Sequence, residues 1–436
     1  MIGIAAKSKI VAFVSAIGLM MVGGAATTPA NAGETKQQID FEILESDEPA
    51  MIDEIANLTR KLQETRREKF PLQNNFALRG VHPKSHGCVA ATFTVLDGID
   101  DDYRVGLFAE PRVYDAWIRY SNAAVLLEPD LKDSQNGSRG MAIKVLGVDG
   151  YNMLPYGGEG NQDFLMINTP EFAFANVRDY LRLSRALDAD PGGASPGLYF
   201  LPAILQAWKT PANNESDEVK ERRIILRKIW QNSKLSTGFT QTDGINTKLT
   251  IDVITTIKRK TVRNPLEVQY FSAAPFLFGP DRVMKYSVIP AAGEIMQKPF
   301  SPEEGVSQDP DYLALALKES LTQGKTIQLS FLVQVVDESQ LEGKKPVMIE
   351  NAAKPWDKDE YPFVKVADIA IQPVGNDKQL VNDCRSLRFT PWHALAAHKP
   401  LGGINRLRKP VYCESGEFRP RGGNPTQALC LAADSN

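Results

Sequence analysis

The chain has 436 residues, with 50 lysines and arginines against 53 aspartates and glutamates and a formal charge of −3. So even a balance gives no electrostatic case for nucleic acid or for an anionic membrane surface. Its 43% apolar residues suffice for a large core in one or two domains.

Residues 1–32 read as a signal peptide. Lys7 and Lys9 precede an apolar run over 10–22, and Ala30-Asn31-Ala32 supplies small residues for cleavage. The run is shorter than the ~20 residues of a spanning helix, and no later segment is apolar enough to span a bilayer. The mature chain is therefore expected in the periplasm or secreted, without a membrane span. No sequence feature fixes an oligomeric state.

Residues 33–74 form a charged arm, in which Ile52, Ile55, Ala56, Leu58 and Leu62 give helical spacing over 51–67. The main body, 75–375, opens with short β-rich runs at 89–95, 117–121 and 141–146, punctuated by Gly, Asp and Pro. A helical insertion follows over about 171–235, with 172–187 and 216–230 as its helices. Strands return near 246–257, 283–289 and 326–336. The tail, 376–436, is loop-rich; Pro, Gly and Trp over 389–406 predict an ordered loop packed on the body. Strands, helices, then strands again indicate an α+β domain around an antiparallel sheet or barrel.

Two of the four histidines sit in Arg79-Gly80-Val81-His82-Pro83-Lys84-Ser85-His86-Gly87. Histidine is the side chain suited to moving protons near neutral pH. A helical metal pair is disfavoured here by Pro83 and by the absence of a glutamate after His82. A solvated loop is the bland reading. Among the cysteines, Cys384, Cys413 and Cys430 can supply a bridge in the tail, and Cys88 is expected as a buried free thiol. No CxxC pair offers a thiolate zinc site. Gly157-Gly158-Glu159-Gly160 lacks the Lys-Ser/Thr of a phosphate loop.

Four segments in order resemble the catalase superfamily. They are Arg79-Gly80-Val81-His82-Pro83-Lys84, Arg119-Tyr120-Ser121, Arg139-Gly140-Met141-Ala142-Ile143-Lys144, and Asn168-Thr169-Pro170-Glu171-Phe172 with Asp163 before it. They cover roughly residues 75–185. The resemblance implies an antiparallel β-barrel core with surrounding helices, and one haem b. It gives His82 the role of proton shuttle for a bound peroxide, with Ser121 orienting its ring. Arg79 and Arg119 are implied partners of the haem propionates, and Val81, Phe172 and Tyr180 line the porphyrin.

The family holds its iron with a tyrosine that has a glycine nine residues after it. Tyr270 and Gly279 repeat that spacing, so Tyr270 is the expected proximal ligand and Tyr286 the fallback. Three family features are replaced. Ile167 stands where an asparagine amide flanks the distal histidine. Leu266 stands where an arginine precedes the tyrosine by four, and Leu277 where another propionate-binding arginine follows it. The implied function is peroxidase-type chemistry on an organic or lipid hydroperoxide, or slow hydrogen peroxide removal. The alternatives are a non-enzymatic exported haem binder and a cofactor-free barrel serving as an interaction protein.

Overall fold

Along each long strand, alternate side chains are large and apolar, and that half turns to a common interior. In β1 (Ser85–Val95) these are Val89, Ala91, Phe93 and Val95; in β2 (Val113–Asn122) they are Ala116, Ile118 and Tyr120. β3 (Arg139–Leu146) adds Met141, Ile143 and Val145, and β4 (Asn161–Ile167) adds Phe164 and Met166. Continuing round, β7 (Arg282–Pro290), β8 (Ile327–Asp337) and β9 (Phe363–Ile371) supply Tyr286, Phe331 and Ile369. The structure is a computed structural model. It describes residues 40–72, 76–123, 138–154, 160–189, 250, 252–254, 256–257, 262–291, 311–373 and 386–419. All of them lie in the unit Gln38–Asn436.

The sheet closes on itself. Short β5 (Tyr270–Phe271) pairs with β4 through Ile167 and Phe271, and with β7 through Tyr270 and Val288. β1 pairs with β9 at the other seam. The result is an eight-stranded antiparallel barrel, β1-β2-β3-β4-β5-β7-β8-β9, with β6 (Phe276–Leu277) added on β7. Its interior is filled: the rings of Phe93, Phe164 and Phe331 meet at centroid distances of 4.6–6.1 Å. Each such burial contributes about 1.5–3 kcal/mol. A barrel this full leaves chemistry to its outside.

Helices cover that outside. α1 (Glu48–Lys69) starts with Pro49 in its first turn and ends on Arg66, Arg67 and Lys69, charges that complement the helix dipole. It shares an apolar cluster with α2 (Val177–Ala189) and α4 (Gly403–Phe418) through Ile55, Val177, Leu181, Ile404 and Leu407. α3 (Tyr312–Thr322) packs on β1. Arg406 of α4 binds three carboxylates, Glu42 at 2.6 Å, Glu350 at 2.9 Å and Glu48, fastening the arm before α1 to the last helix. Among the described residues, no helix is long and apolar enough to cross a membrane.

Several expectations change. Near 246–257 the described positions are helical, not a strand. The β-branched composition there suggests a strand, but Val253 and Ile257 are buried four apart, the helical repeat. The tail is a loop only to Gly402. Beyond it Ile404, Leu407 and Val411 make an amphipathic face, and α4 forms despite Pro410 inside it. Cys88 is not a free thiol: Cys88 and Cys413 are both disulfide-bonded, and no cysteine among the described residues is free. Cys88 lies on the outward face of β1 beside Leu165 and Phe389, where the tail crosses. The leader, the 216–230 helix, Cys384 and Cys430 lie outside the described residues.

Candidate active site

Side chains that alternate with the barrel core point outward from β2, β3 and β4, and between them and the helices lies a cavity of about 190 Å³. His82, at the end of the loop into β1, reaches into it with φ at +50°. Ala273, at φ +59°, lines the same cavity, and these are the two non-glycine residues with positive φ among the described residues. Such conformations cost on the order of 1–3 kcal/mol each and gather at functional sites.

Three neighbours fix His82. Arg119 Nη2 donates to its carbonyl at 2.8 Å, and Ser121 Oγ lies 3.2 Å from Nδ1. Gly140, paired with Ser121 across the β2–β3 ladder, leaves the room its ring occupies. A methyl there would sit 2.7 Å from His82 Cε1 and 2.9 Å from Ser121 Oγ. Burial pushes the His82 pKa down to about 3, helped by Arg119, Arg408 and Arg79. The imidazole is therefore neutral at ordinary pH. If Nδ1–H donates to the serine, the other ring nitrogen is the basic one. His86 belongs elsewhere: buried, its Nε2 is 2.9 Å from Asn122 Oδ1.

One face of α4 forms another wall. Ile404, Leu407, Arg408, Val411, Tyr412 and Ser415 line the cavity at spacings of three and four. Tyr412 is the phenol on that face. Arg408, one turn earlier, places Nη2 3.5 Å from Tyr412 Oη and its guanidinium 5.3 Å from the ring centre. The helix start is pinned by Asn405, whose amide donates to Pro275 and Leu401 carbonyls.

At one edge Arg79, Arg119 and Arg419 converge. Burial lowers all three guanidinium pKa values, Arg119 to about 9 and Arg419 to about 8, and each is lowered further by another of the set. No aspartate or glutamate is among the described lining residues. Each guanidinium also donates to a backbone carbonyl, Arg79 to Leu387, Arg119 to His82 and Arg419 to Ala77, and guanidinium forks suit carboxylates. The remaining wall is apolar: Val81, Leu165, Ile167, Phe172, Phe174 and Phe389. Phe172 stacks on Tyr180 at 6.3 Å.

The sequence expectations thus divide. Arg79, Val81, His82, Arg119, Ser121, Phe172 and Tyr180 come together on one cavity. Tyr270 does not line it. Strand alternation turns its ring into the barrel core, 6.2 Å from Tyr120, and its hydroxyl donates to the Pro265 carbonyl at 2.7 Å. Burial pushes that phenol well above its usual pKa. Tyr286 is also inside the barrel, bonded to Leu165. A phenol that does line the cavity is Tyr412, which the sequence reading did not single out although its spacing was visible. Arg408 precedes it by four, where Leu266 stands before Tyr270. Arg419 follows it by seven, where Leu277 follows Tyr270. Ile167 does border the cavity, while the Asn168 amide turns away to accept from the Arg139 N–H at 2.8 Å.

Among solved structures, the chain is similar to a fungal catalase, with 16% identity, a TM-score of 0.52, and coverage of 83% of this chain and 61% of that one. Catalase A from Saccharomyces cerevisiae gives 17% identity, a TM-score of 0.52, and coverage of 82% and 63%. A bacterial catalase gives 14% identity, a TM-score of 0.53, and coverage of 92% and 66%. The chain thus spans about three fifths of the length of the first two. No protein-family model and no curated protein matches it. The fold is catalase-like.

Proposed function

We propose that this catalase-like barrel is exported, binds haem b, and performs a peroxidase-type reaction on an organic or lipid hydroperoxide. The observation that carries the reading is Tyr412 and His82 lining one cavity, His82 from the barrel side and Tyr412 from α4, together with Arg79, Arg119 and Arg419. The donor set fits the group. A phenolate is a hard anionic donor suited to ferric iron, and the Arg408 guanidinium lies beside Tyr412, with Nη2 3.5 Å from its hydroxyl. The three buried guanidiniums suit two propionates, and the aromatic wall suits a porphyrin face.

When bound, haem supplies a ferric centre that polarises a peroxide oxygen. The chain's own contribution is proton handling and exclusion of water. Neutral His82 would accept the hydroperoxide O–H proton and hand it to the alkyl-bearing oxygen, so that with two electrons and two protons from an external donor the hydroperoxide is reduced to alcohol and water. Ser121 keeps the imidazole in one orientation. Ile167 offers a butyl group where an amide would hold a bare peroxide, which favours an alkyl substituent on the substrate. An external electron donor completes turnover. The apolar run and small-residue cleavage site support export, and disulfide-bonded Cys88 and Cys413 suit an oxidising compartment.

The test is an absorption spectrum and pyridine haemochrome assay on protein expressed with adequate haem, followed by turnover. A high-spin ferric spectrum is expected, with cumene hydroperoxide consumed faster than hydrogen peroxide. Colourless protein sinks the cofactor. Coloured protein without turnover leaves a haem binder, and a wide preference for hydrogen peroxide removes the organic substrate.

A further inference from the structure

A second cavity, of about 70 Å³, opens between α1 and α2. Its inner end is walled by Val81 and Tyr180, and both also line the His82 cavity. Its sides carry Leu58 and Leu62 from α1 and Leu187 from α2. At the outer end Lys61 and Asp188 form an ion pair of 2.6 Å, with Lys61 largely exposed. The lining therefore combines an ion pair, aliphatic side chains and two residues shared with the His82 cavity.

We propose that the α1–α2 cavity is a binding subsite for the aliphatic chain of a hydroperoxide whose peroxide end lies at His82. This rests on the function proposed above and names its substrate class. Leu58, Leu62 and Leu187 reward burial of methylene groups, while Thr59, Thr65, Ser184 and the Lys61–Asp188 pair supply the polar part of the lining. Val81 and Tyr180 line both cavities, so the two spaces are neighbours outside the filled barrel. A substrate without a chain gains nothing from the subsite, so discrimination arises in affinity and not in proton transfer.

The experiment fills the cavity by Leu62→Trp and, from the other helix, by Leu187→Trp. Three substrates are compared on haem-loaded protein: linoleic acid hydroperoxide, cumene hydroperoxide and hydrogen peroxide. The KM for linoleic acid hydroperoxide should rise at least about tenfold in each variant, with less than about a twofold change for the other two. Independently of turnover, fluorescence titration with cis-parinaric acid should show affinity weakened about tenfold, with the Soret band unchanged. Unchanged KM and parinaric acid affinity in either folded variant would overturn the subsite, as would equal losses for all three substrates. If wild-type protein is colourless and inert, the proposed function fails, while parinaric acid binding still decides whether the cavity takes a chain.

Discussion

The two walls of the cavity are built in opposite ways. On the barrel side, His82, Ser121 and Gly140 come from three separate stretches brought together by ladder register, with Ser121 facing Gly140 across β2 and β3. On the helix side, Arg408, Tyr412 and Ser415 come from one element by turn spacing alone. A ladder makes each group depend on its neighbours: a side chain at Gly140 would meet the histidine and the serine together. Helix groups stand one turn apart and constrain one another weakly. The barrel wall is therefore the interlocked side, and the helix wall is the one whose groups can vary singly.

The sharpest way to break this comparison is at the two tyrosines. Tyr412→Phe should abolish the high-spin ferric spectrum. Tyr270→Phe should keep it and cost about 1–3 kcal/mol in unfolding free energy, because the Pro265 carbonyl loses its buried donor. The reverse pattern would return the ligand to the barrel. Next in size is His82→Ala. Turnover should fall about 10²–10⁴-fold while the Soret band persists, as expected for a proton-transfer residue that does not hold the cofactor.

A third test separates the walls mechanically. Lys144 of β3 and Asp163 of β4 form a buried ion pair at 2.7 Å, and Asp163 also lies 2.9 Å from His393 Nδ1 in the loop that leads to α4. Asp163→Ala should cost about 3–5 kcal/mol in urea unfolding, since it strands a buried ammonium. Adding Lys144→Met should recover much of that. An Asp163→Ala loss under 1 kcal/mol would mean that the walls are tied elsewhere.

The smallest effect is in acid. His398, beneath the loop, accepts the Leu107 N–H at Nε2, and burial lowers its pKa from 6.5 to about 4. A depressed histidine contributes stability that is complete above its unfolded value and is lost as pH falls through the folded one. His398 should therefore contribute a drop in unfolding free energy of about 3 kcal/mol between pH 6.5 and 4, at about 1.4 kcal/mol per unit, with His82 adding its own drop over the same range. His398→Gln should remove about half of the combined slope, and a parallel slope in the variant would assign the loss to other groups.

The barrel wall was legible in the sequence because its groups lie in runs of adjacent residues whose identities are constrained together. Arg79 to Lys84 and Arg139 to Lys144 are each six residues long. The barrel followed from strands punctuated by turns. The helix wall was harder to see because its information is only spacing, in a stretch whose local signals oppose a helix. Pro410 lacks an N–H and ordinarily breaks the ladder, and Gly402-Gly403 reads as a loop. Packing of Ile404, Leu407 and Val411 against α1 and α2 overrides those signals. Tyr270 lies away from the cavity because strand alternation, which a glycine nine residues on does not report, turns its ring into the barrel core.

Arg406 and its three carboxylates carry a consequence for biogenesis. The acids at 42 and 48 emerge from the ribosome early, whereas their guanidinium is made some 360 residues later. Until residues 403–418 are made, the barrel side that carries the imidazole lacks the wall they supply. A nascent chain short of them thus presents an open trough instead of an enclosed chamber.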